Sequence, residues 1–252
     1  MAMRHTHVLA PFAIICLLGG GARAEDWYTG SGQGASSAER PHASLDLAFT
    51  GTTQDTFHGT FIGTIAPFAP MDDSGLRLRL GGVLGSYSYI SSVKGVGRVQ
   101  GKQEDGSFLA GYEWVTHNAS VDIYVGPEVA NNTLSVVDPG NKVTGATIGA
   151  KAAIDFYVNP TSYSLVSGNM SFSTANNAYY ARFKAGLAVA SGVFVGPEAL
   201  FLGDNQYSQI RFGLHITGAK LGPLQFGLSG GYVSDRIRGK GAYAILDTRV
   251  VF

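Results

Sequence analysis

Cysteine is almost absent from this chain. Cys16 is the only one and lies in an apolar N-terminal stretch. Ile15 precedes it where a lipoprotein signal needs a small residue. The rest of the chain therefore holds no thiol, which excludes disulfides, thiolate metal centres and cysteine nucleophiles. Charge is scarce as well: Asp, Glu, Lys and Arg make up 14% of the residues, against roughly 25% in soluble domains. Neither sign is in excess, with 18 Lys+Arg and 18 Asp+Glu. The basic surface that nucleic acid demands is missing, so nucleic acid is not an expected partner. Apolar residues reach 45%, yet beyond the N-terminus no run approaches the roughly 20 residues of a transmembrane helix. Histidines and acids do not cluster at metal-ligand spacing and G-x-S-x-G does not occur, so no metal, cofactor or serine-hydrolase motif is expected.

The N-terminus has the parts of a secretory signal. Arg4, His5 and His7 precede an apolar stretch from Val8 to Leu18, and Ala22-Arg23-Ala24 is a small-x-small cleavage site. Cleavage near Ala24 would remove two arginines and no acid, leaving a mildly acidic exported chain. Residues 25–41 are polar and rich in Gly and Ser, the composition of a periplasmic lead-in.

From residue 42 onward the dominant signal is alternation with period 2. Strands are expected at 43–50, 57–66, 75–90, 105–115, 119–127, 142–158, 162–172, 178–190, 192–202, 207–218, 223–233 and 241–252. The spacing predicts an all-β, antiparallel up-and-down transmembrane β-barrel of about 12 strands, with 10 as the alternative. With both termini periplasmic, outer loops fall at 51–56, 91–104, 128–141, 173–177, 203–206 and 234–240. Inner turns fall at 67–74, 116–118, 159–161, 191 and 219–222. One parity carries leucine, isoleucine and phenylalanine: Leu78, Ile148, Ile154, Phe183, Phe212 and Phe226 are expected to face lipid. The other parity carries the charges. An Arg or Lys facing mid-bilayer lipid costs about 2–4 kcal/mol, so the charged parity belongs inside. A soluble barrel would invert the two faces. The chain ends on Phe252 within its last strand. This terminal aromatic resembles that of outer-membrane barrels, and the resemblance implies a signal read by barrel-assembly machinery and an outer-membrane location in a Gram-negative bacterium.

The expected lumen residues are Arg77, Arg79, Glu113, Asp122, Lys151, Asp155, Arg182, Lys184, Arg211, His215, Asp247 and Arg249. Paired, they would fill much of a narrow barrel and leave a plugged or very tight lumen. Tyr124, Tyr157, Tyr180, Tyr207 and Tyr243 share their parity and are the candidate glycan contacts. Val125-Gly-Pro-Glu128 recurs as Val195-Gly-Pro-Glu198, placing Glu128 and Glu198 at expected strand tops. Two carboxylates are the minimum of a glycosidase site, but pairing with lumen cations or loop amides is the simpler reading. His42, His58, His117 and His215 are scattered, and Tyr89, Tyr112 and Trp114 read as interface aromatics.

Several motifs in order, Leu76-Arg-Leu-Arg-Leu-Gly-Gly82, Gly111-Tyr-Glu-Trp114, Gly192-Val-Phe-Val-Gly-Pro-Glu-Ala199, His215-Ile-Thr-Gly218 and Ser229-Gly-Gly-Tyr232, resemble the BcsS-type cellulose biosynthesis proteins of alphaproteobacteria. The resemblance runs over about residues 42–252. It implies a non-enzymatic outer-membrane barrel that serves cellulose biosynthesis or export, touching outer-membrane lipid, the assembly machinery, and cellulose synthase components or glucan. The residues alone leave two alternatives: an outer-membrane enzyme modifying lipid or glycan, and a soluble periplasmic β-barrel binding protein.

Overall fold

The computed structural model describes residues 40–252. The expected signal sequence and most of the expected lead-in lie outside the described residues. Twelve strands follow one another: β1 (Ala43–Thr52), β2 (Thr56–Ile65), β3 (Gly75–Ile90), β4 (Arg98–Val115), β5 (Ala119–Leu134), β6 (Gly145–Thr161), β7 (Ser164–Ser173), β8 (Tyr179–Ala190), β9 (Val193–Gly203), β10 (Ser208–Leu221), β11 (Leu224–Asp235) and β12 (Gly239–Val251). Each pairs antiparallel with its sequence neighbours, and β1 pairs with β12 from Ser44↔Val251 to Thr52↔Tyr243, closing the barrel.

Alternation sets the two faces. On β10, Ile210, Phe212, Leu214 and Ile216 lie exposed on the outside, while Gln209, Arg211, His215 and Thr217 are buried inside. The same division holds around the ring: Leu78, Ile148, Ile154, Phe183, Phe212 and Phe226 point out, and Arg79, Lys151, Lys184 and Arg211 line the interior. An apolar belt on every strand would be an aggregation surface in water. In hydrocarbon it is the solvated face, and the closed ladder satisfies the backbone that hydrocarbon cannot.

The wall is uneven in height. β3 to β6 run 16, 18, 16 and 17 residues, whereas the other strands run 10 to 14. On β4 the outward row of Phe108, Ala110, Tyr112 and Trp114 gives way to Gln100, Lys102 and Glu104. The apolar part is therefore about the 9–11 residues that a tilted strand needs to cross a bilayer. The rest rises beyond it. At the opposite margin the Tyr112 and Trp114 rings pack 4.9 Å apart.

Several expected boundaries are corrected. Residues 98–104 and 128–134 are strand, paired from Gly101↔Leu134 to Ser107↔Glu128, and the loops shrink to 91–97 and 135–144. Above the membrane both faces mix polar with apolar residues, Val99 and Ala130 inward and Val129 outward among them, and this blurs the alternation by which strands are recognised. The inner turns expected at 159–161 and 219–222 close at 162–163 and 222–223. Glu128 and Glu198 lie mid-strand instead of at strand tops. Tyr89 has inward parity and leaves the aromatic girdle: its hydroxyl donates to Asp138 Oδ2 at 2.8 Å in an outer loop and accepts from Asn141 Nδ2 at 3.0 Å.

The repeated Val-Gly-Pro-Glu segments have one structural job. Each interrupts the ladder with the preceding strand, between Ala110↔Val125 and Ser107↔Glu128 in one case and between Leu187↔Val195 and Lys184↔Glu198 in the other. Pairing with the following strand continues through Pro127↔Ala150 and Pro197↔Leu214. Proline is tolerated because the break lies on the side where an N–H would have been needed. At both glycines the preceding strand comes so near that a Cβ would run into a backbone carbonyl, that of Phe108 or of Ala185.

The turns on the side of the chain's two ends are short except 66–74, which folds back under the lumen. Met71 N donates to Pro41 O at 2.8 Å, and Met71 lines the interior from below. Arg40 clamps this turn through Asp72 at 2.7 Å and Asp73 at 2.8 Å, and its guanidinium holds the Asp73 carboxyl below the usual carboxylate range.

Two outcomes follow from this architecture. Gly196→Ala should lower the stability of the refolded barrel by about 1–3 kcal/mol, since an added methyl meets backbone instead of a movable side chain. Gly63→Ala, where a Cβ meets nothing within 4 Å, should leave the denaturant midpoint unchanged. Phe252 closes the seam with its backbone, accepting from His42 N at 2.6 Å and Ala43 N at 3.1 Å, while its ring is 64% exposed on the outer face. Phe252→Ala keeps those bonds and gives up only part of the roughly 1.5–3 kcal/mol of full side-chain burial. It should refold in detergent with little change yet reach the outer membrane poorly in cells. Normal delivery of this variant would mean that the ring is not an assembly signal.

Candidate functional site

The inward side chains of β8 to β12 form one network across a chord of the barrel. Arg182 from β8 grips Asp247 from β12 with two parallel bonds of 2.9 Å, and its Nε donates to Glu198 on β9 at 2.8 Å. Its Nη2 also donates to Ser229 Oγ at 3.1 Å. Glu198 takes two further bonds, from Ser229 Oγ at 2.9 Å and the Tyr243 hydroxyl at 3.0 Å. Lys184 Nζ reaches Asp247 at 3.0 Å and Thr217 Oγ1 at 3.5 Å. Two cations face two carboxylates, so the group is neutral as a whole.

His215 continues this network downward. Its Nε2 lies 3.1 Å from the Ala185 carbonyl, which can only accept, so Nε2 carries the proton. Nδ1 then accepts from Thr217 Oγ1 at 3.0 Å. Both ring nitrogens are engaged, which leaves none for a proton transfer.

A second set of pairs covers β1 to β6, with Arg249 reaching in from β12. Arg79 pairs with Asp155 at 2.6 Å, and its guanidinium lies 3.6 Å over the Tyr124 ring. The Tyr124 hydroxyl donates to Asp122 at 3.1 Å. Lys151 pairs with Glu128 at 2.6 Å, Arg249 with Asp46 at 3.7 Å, and Arg77 with Glu113 at 2.6 Å. Arg77 also donates to the carbonyls of Pro70 at 3.3 Å and Asp73 at 2.5 Å, stapling the 66–74 turn to the wall. All twelve of the expected lumen residues thus lie inside, ten of them in these two networks or at His215's hydrogen bonds; Asp122 joins through Tyr124, and Arg211 stands apart.

The interior is neither empty nor filled. A cavity of about 460 Å³ runs between the networks, from the outer loops to Met71. Two sectors of its lining carry short uncharged groups: Ser44, Thr50, Thr60 and Thr64 on β1 and β2, and Ser167, Asn169, Ser171 and Ser173 on β7. Of the candidate tyrosines, Tyr124, Tyr180 and Tyr207 line this space. Tyr157 does not: it is packed with Leu165 and Phe194 toward the periplasmic end and is 1% exposed. Tyr243 packs with Leu200, Val233 and Ile245. At the outer mouth Arg238 lies 5.5 Å from the Tyr87 ring and 5.2 Å from the Tyr207 ring, and also bonds Thr56, tying the 236–238 turn across to β2 and β3. Sequence reasoning missed Asp46, the β1–β2 and β7 hydroxyls and Arg238. The inward parity of β1, β2 and β7 was the available signal for all but the last. Among the described residues no group of three His, Cys, Asp or Glu is placed to hold a metal ion.

The two ion-pair settings differ in burial, and this sets their weight. Asp247→Asn leaves Arg182 and Lys184 sharing one buried carboxylate and should destabilise the refolded barrel by about 3–5 kcal/mol. Asp46 is 36% exposed to the lumen at its side chain and 3.7 Å from Arg249, a longer and wetter contact, so Asp46→Asn should cost clearly less than Asp247→Asn. Denaturant titration in detergent, followed by heat-modifiable gel migration, compares the two.

Solved structures resemble the chain at low identity. The translocator domain of autotransporter NalP from Neisseria meningitidis is 11% identical with a TM-score of 0.47, covering 89% of this chain and 93% of that one. The transport unit of the autotransporter AIDA-I from Escherichia coli is 10% identical with a TM-score of 0.47, covering 92% and 100%. The KdgM porin, solved in complex with disordered oligogalacturonate, is 10% identical with a TM-score of 0.44, covering 83% and 99%. No curated protein matches the chain. The family model for cellulose biosynthesis protein BcsS matches residues 42–252, which spans every strand of the barrel from β1 to the terminal phenylalanine, and the chain belongs to that family.

Proposed function

We propose that this protein is a non-enzymatic outer-membrane barrel that assists the export of bacterial cellulose. The family links the chain to cellulose biosynthesis. The lipid-suited outer belt, with charge confined to the interior, supports the membrane, and the N-terminal signal supports delivery across the inner membrane with cleavage near Ala24.

The observation that carries the non-enzymatic reading is the state of the lumen groups. Glu198 accepts from Arg182, Ser229 and Tyr243, and Asp247 accepts from Arg182 and Lys184. A general acid or base must be within reach of a substrate proton and titrate near working pH. Carboxylates saturated by cations and hydroxyls serve the wall instead. The same holds for Glu128 with Lys151 and for His215 with its two bonded nitrogens. The partners that fit this reading are outer-membrane lipid around the belt, the assembly machinery at the β1–β12 seam during insertion, and glucan or cellulose synthase components at the mouths.

Deleting the gene should leave glucan polymerisation by inner-membrane vesicles at the wild-type rate while cellulose recovered outside the cell falls. The purified barrel should leave cello-oligosaccharides unchanged. Loss of polymerisation in the vesicles, or cleavage or modification of the oligosaccharide by the barrel, would overturn the reading.

A further inference from the structure

Four lumen arginines sit against carboxylates: Arg77 on Glu113, Arg79 on Asp155, Arg182 on Asp247 and Glu198, and Arg249 on Asp46. Arg211 does not. It is 2% exposed and faces the cavity from β10, near the outer mouth. Among the described residues its one hydrogen bond runs from Nε to Gln209 Oε1 at 2.5 Å, and its guanidinium lies 5.4 Å from the Tyr243 ring. The nearest acid in this chain of contacts is Asp235, one remove away. Asp235 takes the Gln209 amide at 3.1 Å and the backbone N–H groups of Ile237 and Arg238 at 2.8 and 2.9 Å. The two Nη groups of Arg211 are thus left with their donors turned to open cavity.

A buried cation without a counter-charge is costly, because the interior does not replace the hydration it has lost. It is tolerated where the missing partner comes from outside. We propose that Arg211 anchors an anion-binding site in the outer half of the lumen, which takes a carboxylate or a phosphate carried by a sugar or free in solution. The planar fork of a guanidinium matches these oxyanions with two parallel bonds. Tyr180 and Tyr207 line the same cavity and offer rings beside the anion. The volume, about 460 Å³, falls in the range of small-molecule sites, roughly 300–1,000 Å³. The site is independent of the export reading. A neutral glucan would offer Arg211 only hydroxyl oxygens.

The test is titration calorimetry of the refolded barrel with inorganic phosphate, D-glucuronate and D-glucose. Both anions should bind and glucose should not at the same concentration. Arg211→Gln should weaken both anions roughly tenfold or more, as loss of a charge-assisted pair requires, with heat-modifiable migration retained. Tighter binding of glucuronate than phosphate assigns the site to a sugar-borne anion, and the reverse assigns it to a free one. Val233→Asp provides a second arm should Arg211→Gln not fold. Val233 is the cross-strand partner of Arg211, and an aspartate there gives the guanidinium a resident carboxylate that should block both anions. Silence with both anions in the wild type, or binding that survives the variant that folds, overturns the proposal.

Discussion

Hydrocarbon offers no hydrogen bonds, so every backbone N–H and C=O at membrane depth must find its partner within the chain. The rest of this molecule depends on that constraint. A sheet of twelve strands meets it only by closing, and closure brings the first strand against the last along the seam from Ser44↔Val251 to Thr52↔Tyr243. The C-terminal residue is drawn into the seam by the same need, its amide and carbonyl both bonded to the start of β1. Closure then divides the side chains without further choice. Those of one parity meet lipid and the other parity meets a confined interior.

Inside, the problem changes from backbone to charge. Buried cations and carboxylates are stable only when matched, and the lumen matches some between neighbouring strands, as in Arg77 with Glu113 and Lys151 with Glu128, and others across the barrel. Arg182 and Asp247 stand on strands four apart, and Arg79 and Asp155 on strands three apart. These pairs act as struts that brace the ring from within. They leave open a path lined by serine, threonine and asparagine, so the same interior both stiffens the wall and keeps a polar space. Among the lumen arginines, Arg211 is the exception that the pairing rule makes visible.

Much of this was legible in the sequence, because a period-2 pattern is nearly all that a lipid-facing strand requires. The parity that carries Leu78, Ile148 and Phe212 also fixes which charges lie inside. Legibility ended where lipid ends. On β4 and β5 the residues from 98 to 104 and from 128 to 134 mix polar and apolar side chains without a clean alternation, because water replaces hydrocarbon outside, and they read as loop. Pro127 and Pro197 read as strand ends for a related reason. Nothing local reveals that the ladder breaks on one side only, which is a property of the neighbouring strand. Partner identities were also out of reach. Parity assigns Arg182 and Asp247 to the lumen, but 65 positions separate them, and only the stagger of the closed ring brings them to one height. Tyr157 failed as a candidate glycan contact for the same reason: parity puts it inside, while height puts it under Phe194 and Leu165.

The unequal strand lengths give the barrel a front and a back. Beyond the apolar belt β3 to β6 continue for about six residues, some 20 Å of strand at about 3.3 Å per residue. On β4 and β5 the outward row there includes Gln100, Lys102, Glu104, Asn131 and Thr133, and on β3 Ser86 and Ile90. On the remaining strands the rim stops close to the membrane surface. The mouth is therefore cut obliquely, like the end of a quill. Any solute at that mouth would meet a wall of strand on one side and open water on the other. The molecule in effect has a compass bearing in the plane of the membrane, set by four strand lengths.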